Sequence, residues 1–546
     1  MFHVERDARR KRRRRVSFPR GAACLLLLAG CAVGPDFKPP DPPPVEAFRN
    51  AAPSDAAVSL TTDPDPRWWA AFGDPVLTEL IETAIRDNLD MQQAVLRVVE
   101  SRQGIVSARA AGLPKLDGNA SYMREQIGAK GVLESQGVYK GLNDLADQAS
   151  GLGGKAASLA SGHSANSLLS PITQPIDLFQ YGLSASWELD LFGRVRRSTE
   201  QARAQAQAQE EAANDALTSL ESEVAQAYVQ LRGAQALTAS QEENIRSAQA
   251  SLQLTQSRFD ARLSTALDTE QARTQLLNLQ RQLPEYEKQT RQAIDRLDVL
   301  IGQAPGALDE RLLQPGPLPS LPAAVGLGVP STLARRRPDV RQAEAQLHAA
   351  TAGVGVAVAQ FYPDVSLTGS LGIRALDASY LTRWASHFYS AGPSLSLPIF
   401  EGGQLTANLR MAGAQEAEAA LAYRGAVLNA LREVEDALIA FRTDRIERDR
   451  LAAVVASSSD SLHLATSRYG AGLSDYLQVL DAQRTLEDAR QQLVQQDMTL
   501  ANDVVGLYRA LGGGWEQPGA QSRAPVPRRE PPPVPAALDR LGTGLD

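Results

Sequence analysis

Cysteine is almost missing from this chain. Its 546 residues hold two, Cys24 and Cys31, both near the start. Once a leader is removed, no pair remains for a disulfide, and no cluster remains for a thiolate-based zinc site. Aromatic residues make up only 5%, too few for a core of bulky side chains, whereas Ala and Gln fill tracts such as 202–213; that composition suits long, closely packed helices. Long apolar runs are lacking too. Leu25–Leu28 is too short to span a bilayer as a helix. His163, His348, His387 and His463 are scattered without ligand spacing and are expected on surfaces or in loops. No Gly-x-Ser-x-Gly, P-loop or His-Glu-x-x-His pattern occurs. Glu433, Glu435 and Asp436 read as solvated charge on a helix. An enzyme is therefore not expected, nor a cofactor or metal site.

The first 30 residues read as an export signal: a basic run from Arg9 to Arg15, then Leu25–Leu28, then Leu28-Ala29-Gly30-Cys31. That last tetrapeptide resembles the bacterial lipobox, which implies cleavage before Cys31, diacylation of its sulfur and acylation of the new amine. Ala32 is not the aspartate associated with inner-membrane retention, so the pattern implies outer-membrane sorting, and two or more acyl chains make a firm anchor. Residues 1–30 carry nine Lys/Arg and two Asp/Glu; without them 47 basic face 61 acidic residues, a balance of −14. Nucleic acid is excluded as a partner of so acidic a chain.

The second half echoes the first. Ser257-Arg258-Phe259-Asp260-Ala261-Arg262-Leu263 matches Ser467-Arg468-Tyr469-Gly470-Ala471-Gly472-Leu473 at an offset of 210 residues. Each half reads helix, strand, strand, long helix, turn, long helix, as a duplication would produce. Four segments alternate apolar and polar residues, near 114–124, 179–191, 363–375 and 389–400. Each has about the 9–11 residues that a tilted strand needs to cross a bilayer, although a half-buried soluble sheet alternates equally well. If they are membrane strands, four cannot close a barrel, because open edges in lipid leave backbone groups unpaired. Several chains must then share one barrel; three would supply twelve strands. Residues 194–258 and 403–468 lack proline and carry stripes such as Leu217, Leu220, Val224, Tyr228, Leu231 and Leu428, Leu431, Val434, Leu438, Phe441. Return helices are expected at 266–301, with a kink at Pro284, and at 474–511. These helices are mostly polar and must pack sideways in water. The expected divisions are a signal (1–30), a lipidated Pro-rich lead (31–66), a first repeat (67–303), a linker (304–330), a second repeat (331–512, opening on a helix at 338–361) and a disordered tail (513–546). The 123–177 connection is a long surface loop, whereas 375–388 is short. Trp187 suits an interfacial anchor, and Trp68 and Trp69 are expected to pack against helices.

Several motifs in order carry a family resemblance: Cys31-Ala32-Val33-Gly34-Pro35-Asp36-Phe37; Trp68-Trp69 with Phe72-Gly73-Asp74-Pro75; Trp187-Glu188-Leu189-Asp190-Leu191-Phe192-Gly193; Arg336-Arg337-Pro338-Asp339-Val340; and Tyr476-Leu477-Gln478-Val479-Leu480-Asp481-Ala482-Gln483-Arg484. Over residues 31–512 the chain resembles the outer-membrane factors of tripartite efflux systems, the TolC-like and OprM-like ducts, and their NodT-type lipoprotein branch. The resemblance implies a mainly α fold with a membrane β-barrel portion: a homotrimer whose twelve-stranded β-barrel, four strands per chain, continues into a twelve-helix periplasmic α-barrel. It implies an outer-membrane exit duct that passes small toxic compounds from a proton-driven inner-membrane efflux pump and a periplasmic adaptor. In the OprM-like pattern Leu477 and Asp481 match the positions that constrict the periplasmic gate, and Arg468 and Tyr469 match positions that hold it shut. Four residues apart, Leu477 and Asp481 share a helix face, and symmetry would turn them into a dewetting ring and a cation-attracting ring. From the residues alone, core packing for Leu477 and a solvated charge for Asp481 stand as alternatives. So do two other functions, a duct for type I protein secretion and a lipid-anchored coiled-coil scaffold without a pore.

Overall fold

The computed structural model of the chain describes residues 32–40, 48–50, 58–59, 65–126, most of 128–148, 175–322, 324–328, 333 and 335–515. Cys31, the signal, most of the 123–177 connection and most of the tail lie outside the described residues. In chain order the elements are β1 (Val58–Ser59), a 3-10 turn (Trp68–Phe72), α1 (Pro75–Asp87), α2 (Leu89–Ala110), β2 (Lys115–Glu125), α3 (Ala129–Ser135), β3 (Ile176–Leu189), α4 (Arg194–Asp260), α5 (Ala266–Leu300), the single turn α6 (Asp309–Leu312), β4 (Val325–Gly326), α7 (Pro338–Ala359), β5 (Asp364–Ala375), β6 (His387–Ser396), α8 (Gln404–Gly470) and α9 (Tyr476–Ala510). The duplication is visible in the helix lengths: α4 and α8 have 67 residues each, and α5 and α9 have 35 each. At about 1.5 Å per residue the longer pair reaches roughly 100 Å. Pro284 does not break α5. The helix runs through it, losing one backbone donor while Leu279 and Tyr286 on either side stay buried.

The chain divides into two compact units. The first, from residues 1–35, 106–199 and 353–410, is built on an antiparallel sheet in the order β2-β3-β5-β6. Its register sets Leu183 opposite Leu371 and Leu371 opposite Tyr389. Alternation therefore collects the apolar side chains on one face. Tyr389 is 80% and Leu395 69% exposed, so among the described residues nothing covers that face there. The other face is polar: the Asn119 amide donates to Ser184 Oγ at 3.1 Å, and the Ser370 and Ser390 hydroxyls lie 2.8 Å apart. β6 stops at Ser396, short of the alternating run that continues to 400. Pro398 cannot donate to a ladder, and Ile399 and Phe400 are exposed. Trp187 lies on the apolar face with its indole nitrogen donating to the Gly112 carbonyl at 3.0 Å, an apolar body with one satisfied polar end. At the foot of β3, the Asp190 carboxylate accepts from the backbone nitrogens of Val195 and Arg196 and so caps α4. Arg197 donates to the carbonyls of Val33 and Gly34 at 3.1 and 3.3 Å, which holds the residues just after Cys31.

The second unit takes residues 36–105, 200–352 and 411–546. Trp68, Trp69 and Phe72 are fully buried, and Trp68 stacks on Tyr508 of α9 at 5.4 Å. Around them pack Leu217, Val224, Tyr228 and Leu231 of α4 with Ile294 and Leu297 of α5. Each buried side chain of that size contributes about 1.5–3 kcal/mol. On α8 the buried stripe is Tyr423, Val427, Ala430, Val434, Leu438 and Phe441; Leu428 faces solvent instead. Two charge expectations need correction. Glu433 accepts from Arg337 at 2.7 Å, and Arg337 also binds Asp339 and the Ala510 carbonyl, so the hub ties α7 to α8 and α9. Glu435 accepts from the backbone nitrogens of Arg49 and Asn50. Only Asp436, in an exposed pair with Arg432, is solvated charge. His348 is half-buried on α7 rather than loose on a surface: its ring stacks on Phe37 at 4.4 Å, and its Nε2 lies 3.0 Å from Glu200. The start of the tail is also packed, since Trp515 donates to the Arg336 carbonyl and lies beneath the Arg341 guanidinium. The linker pairs in parallel with the N-terminal lead, Val58 opposite Val325.

Candidate functional site at the hairpin tips

Two helical hairpins, α4–α5 and α8–α9, end in turns of the same design. Leu263 N donates to Arg258 O at 2.7 Å and Arg262 N to Phe259 O at 2.9 Å; in the second hairpin Leu473 N donates to Arg468 O and Gly472 N to Tyr469 O, both at 2.9 Å. This is the Schellman pattern, which needs a left-handed residue just past the helix. Gly472 fills that place with φ of 73°, and its counterpart Arg262 adopts φ of 60°. A non-glycine residue there carries strain of about 1–2 kcal/mol.

Beyond the backbone, the two turns diverge. Tyr469 is buried, its ring edge-on to Tyr476 at 5.4 Å, and its hydroxyl donates to Asp268 Oδ2 at 3.2 Å. Asp268 also accepts from Thr265 at 2.9 Å. From the first hairpin, Arg258 places its guanidinium 4.9 Å from the Tyr469 ring centre and donates to the Gly470 carbonyl at 2.7 Å. The first hairpin thus clasps the second with a cation over a ring and two hydrogen bonds. Desolvation raises the Tyr469 hydroxyl above its ordinary value and pushes that of Tyr476 up to about 12, so both stay protonated. Behind the clasp the side chains are polar. Gln275 donates to Glu487 at 2.7 Å and accepts from Arg484 at 3.1 Å, while Gln483 is buried beside them. Burial pushes the Glu487 carboxyl up to about 7 against the opposing pull of Gln275.

The residues singled out from sequence divide. Tyr469 belongs to the clasp. Arg468, its neighbour, is exposed and forms no ion pair among the described residues. Leu477 (62% exposed) and Asp481 share the exposed face of α9, opposite the buried Tyr476, Val479, Leu480 and Gln483. The core-packing alternative for Leu477 therefore fails within this chain. Sequence reading passed over Arg258 and Asp268 as partners of Tyr469. The signal was there in the repeat: Asp268 stands where the second half has Gln478, and Phe259 where it has Tyr469.

Comparison with known proteins bears on what such tips belong to. Residues 80–303 and 329–513 match the family described as Outer membrane efflux protein. The chain is 32% identical to outer membrane protein OprJ of Pseudomonas aeruginosa over 501 residues, covering 91% of this chain and 96% of that one. It is 33% identical to the solvent efflux pump outer membrane protein SrpC of Pseudomonas putida, covering 90% and 97%. The solved outer-membrane channel OprN superposes with a TM-score of 0.75 at 32% identity, over 89% of this chain and all of that one. Four strands whose sheet edges are unpaired among the described residues, two pairs of equal-length helices and matches running nearly end to end lead to one assignment: the chain belongs to the outer membrane efflux protein family and has the outer-membrane factor fold.

Proposed function

We propose that the chain is one subunit of a trimeric outer-membrane exit duct that passively releases small toxic compounds delivered by a proton-driven inner-membrane pump through a periplasmic adaptor. The observation that carries this reading is the β2-β3-β5-β6 sheet, with an uncovered apolar face and with β2 and β6 as edges. In lipid those edges must pair, and the only arrangement that pairs every one is a closed ring of copies. Three copies make twelve strands and twelve long helices. Cys31, acylated, anchors the chain, and the clamp of Arg197 on Val33 and Gly34 sets where that anchor leaves the fold. At the helical tips, Leu477 and Asp481 form the gate rings, Tyr469 closes the contact within each chain, and exposed Arg468 is available to the neighbouring chain. Cargo chemistry is supported by the relative named for solvent efflux; no observation favours protein secretion.

Purified protein in detergent, weighed by light scattering and then added to planar bilayers, tests the reading. The expected result is a heat-modifiable trimer with a small, cation-preferring conductance. A stable monomer that leaves the bilayer silent would end it.

A further inference from the structure

One charged side chain on the polar face of the sheet has no role in the gate. Arg374 lies one residue from the end of β5, beside Gln180 of β3 in the register. Its Nε donates to Gln180 Oε1 at 3.0 Å, and its guanidinium carbon stands 4.8 Å from the centre of the Phe388 ring on β6. Phe388 reaches this position because Gly372 has no side chain: a Cβ there would lie 3.1 Å from the ring. Gly182 sits directly opposite Gly372, so the ring rests on bare backbone instead of projecting from it. No carboxylate pairs with Arg374 among the described residues, and neither terminal nitrogen has a protein partner there. The side chain is exposed. The same face carries Ser184, Ser370 and Ser390 beneath it, and in their row, on β2, Asp117 opposite Ser184; in the row of Arg374 itself the register partners Gln180 and Ser121 are neutral. A surface arginine wanders; this one is held by a stack, a hydrogen bond and a floor of glycine.

We infer that Arg374, oriented by Phe388 and Gln180, is a charge-selecting residue at the outer end of the duct, and that it draws anionic solutes and counter-ions into the last stretch of the barrel. The inference rests on the trimeric duct reading, in which the polar face lines the lumen and symmetry makes Arg374 a cationic ring. The Arg374 ring would then carry the opposite sign to the Asp481 ring. A neutral or anionic cargo would leave past Arg374 without meeting like charge, while a cation would meet a barrier there.

The experiment uses the purified trimer in planar bilayers across a KCl gradient, with citrate as a trivalent anionic probe added to either side. Wild type, Arg374→Gln and Arg374→Lys are compared. The expected result is that Arg374→Gln shifts the reversal potential towards potassium, changing the cation-to-anion permeability ratio by roughly twofold or more. It also loses the current block by citrate from the barrel side, and Arg374→Lys retains both. Selectivity and citrate block unchanged in a conducting Arg374→Gln trimer would overturn the inference and leave the duct standing. A wild-type protein that never conducts would overturn the duct reading and this inference with it.

Discussion

The two hairpin tips share a turn down to individual hydrogen bonds and yet differ at nearly every side chain that matters. Tyr469 stands against Phe259, Gly472 against Arg262, Gln478 against Asp268 and Asp481 against Gln271. The buried Tyr469 is held by Arg258 and Asp268, whereas its counterpart Phe259 is 41% exposed. Duplication preserved what the backbone requires; divergence worked on what the backbone leaves free. One tip became the holder and the other the held, and the exposed Asp481 of the held tip has a neutral counterpart, Gln271, in the holder.

The sharpest way to break this asymmetry is truncation. Tyr469→Ala should cost about 3–5 kcal/mol, as for other buried aromatics, and should raise bilayer conductance; Phe259→Ala should cost much less. Thermal melting of both variants decides it, and equal losses would mean that the tips are equivalent after all. Next comes charge. Asp481→Asn should raise the conductance of the closed trimer and weaken its preference for cations, whereas Gln271→Ala should leave both alone. A third effect depends on pH. Glu487 has a folded value of about 7, above its ordinary 4.5. Between those values the folded chain binds more protons than the unfolded one, so stability falls as pH rises through that window and levels off above it. Glu487→Gln should flatten that slope in melting curves recorded from pH 4 to 8. The smallest effect is backbone strain. Arg262→Gly should stabilise the first tip by about 1 kcal/mol and Gly472→Ala should destabilise the second by a similar amount, read as opposite shifts in melting temperature.

Much of the fold was legible because its signals are local and periodic. Period-two alternation marked β2, β3, β5 and β6, and the missing proline together with three-and-four spacing marked α4 and α8. Errors came where periodicity drifts or contacts are remote. On α8 the apolar stripe was placed on Leu428, but a helix turning 3.6 residues per turn carries the buried line through Val427 and Ala430. Charge read along one helix made Glu433 and Glu435 look solvated, because their partners Arg337 and Asn50 are far away in the chain. His348 looked isolated for the same reason, since Phe37 and Glu200 have no sequence relation to it. At the tips, Tyr469 was found by its place in a motif. Its partner Asp268 lies 201 residues earlier, and no spacing rule connects them.

The matched helix lengths make the duct a ruler with two arms. If seven residues were inserted into α8 alone, its end would advance by about 10 Å, and Tyr469 would slide past Arg258 and Asp268. The reach of this chain can therefore grow or shrink only when both arms change by the same step, so lineages with different envelope widths should carry paired insertions 210 residues apart in this frame.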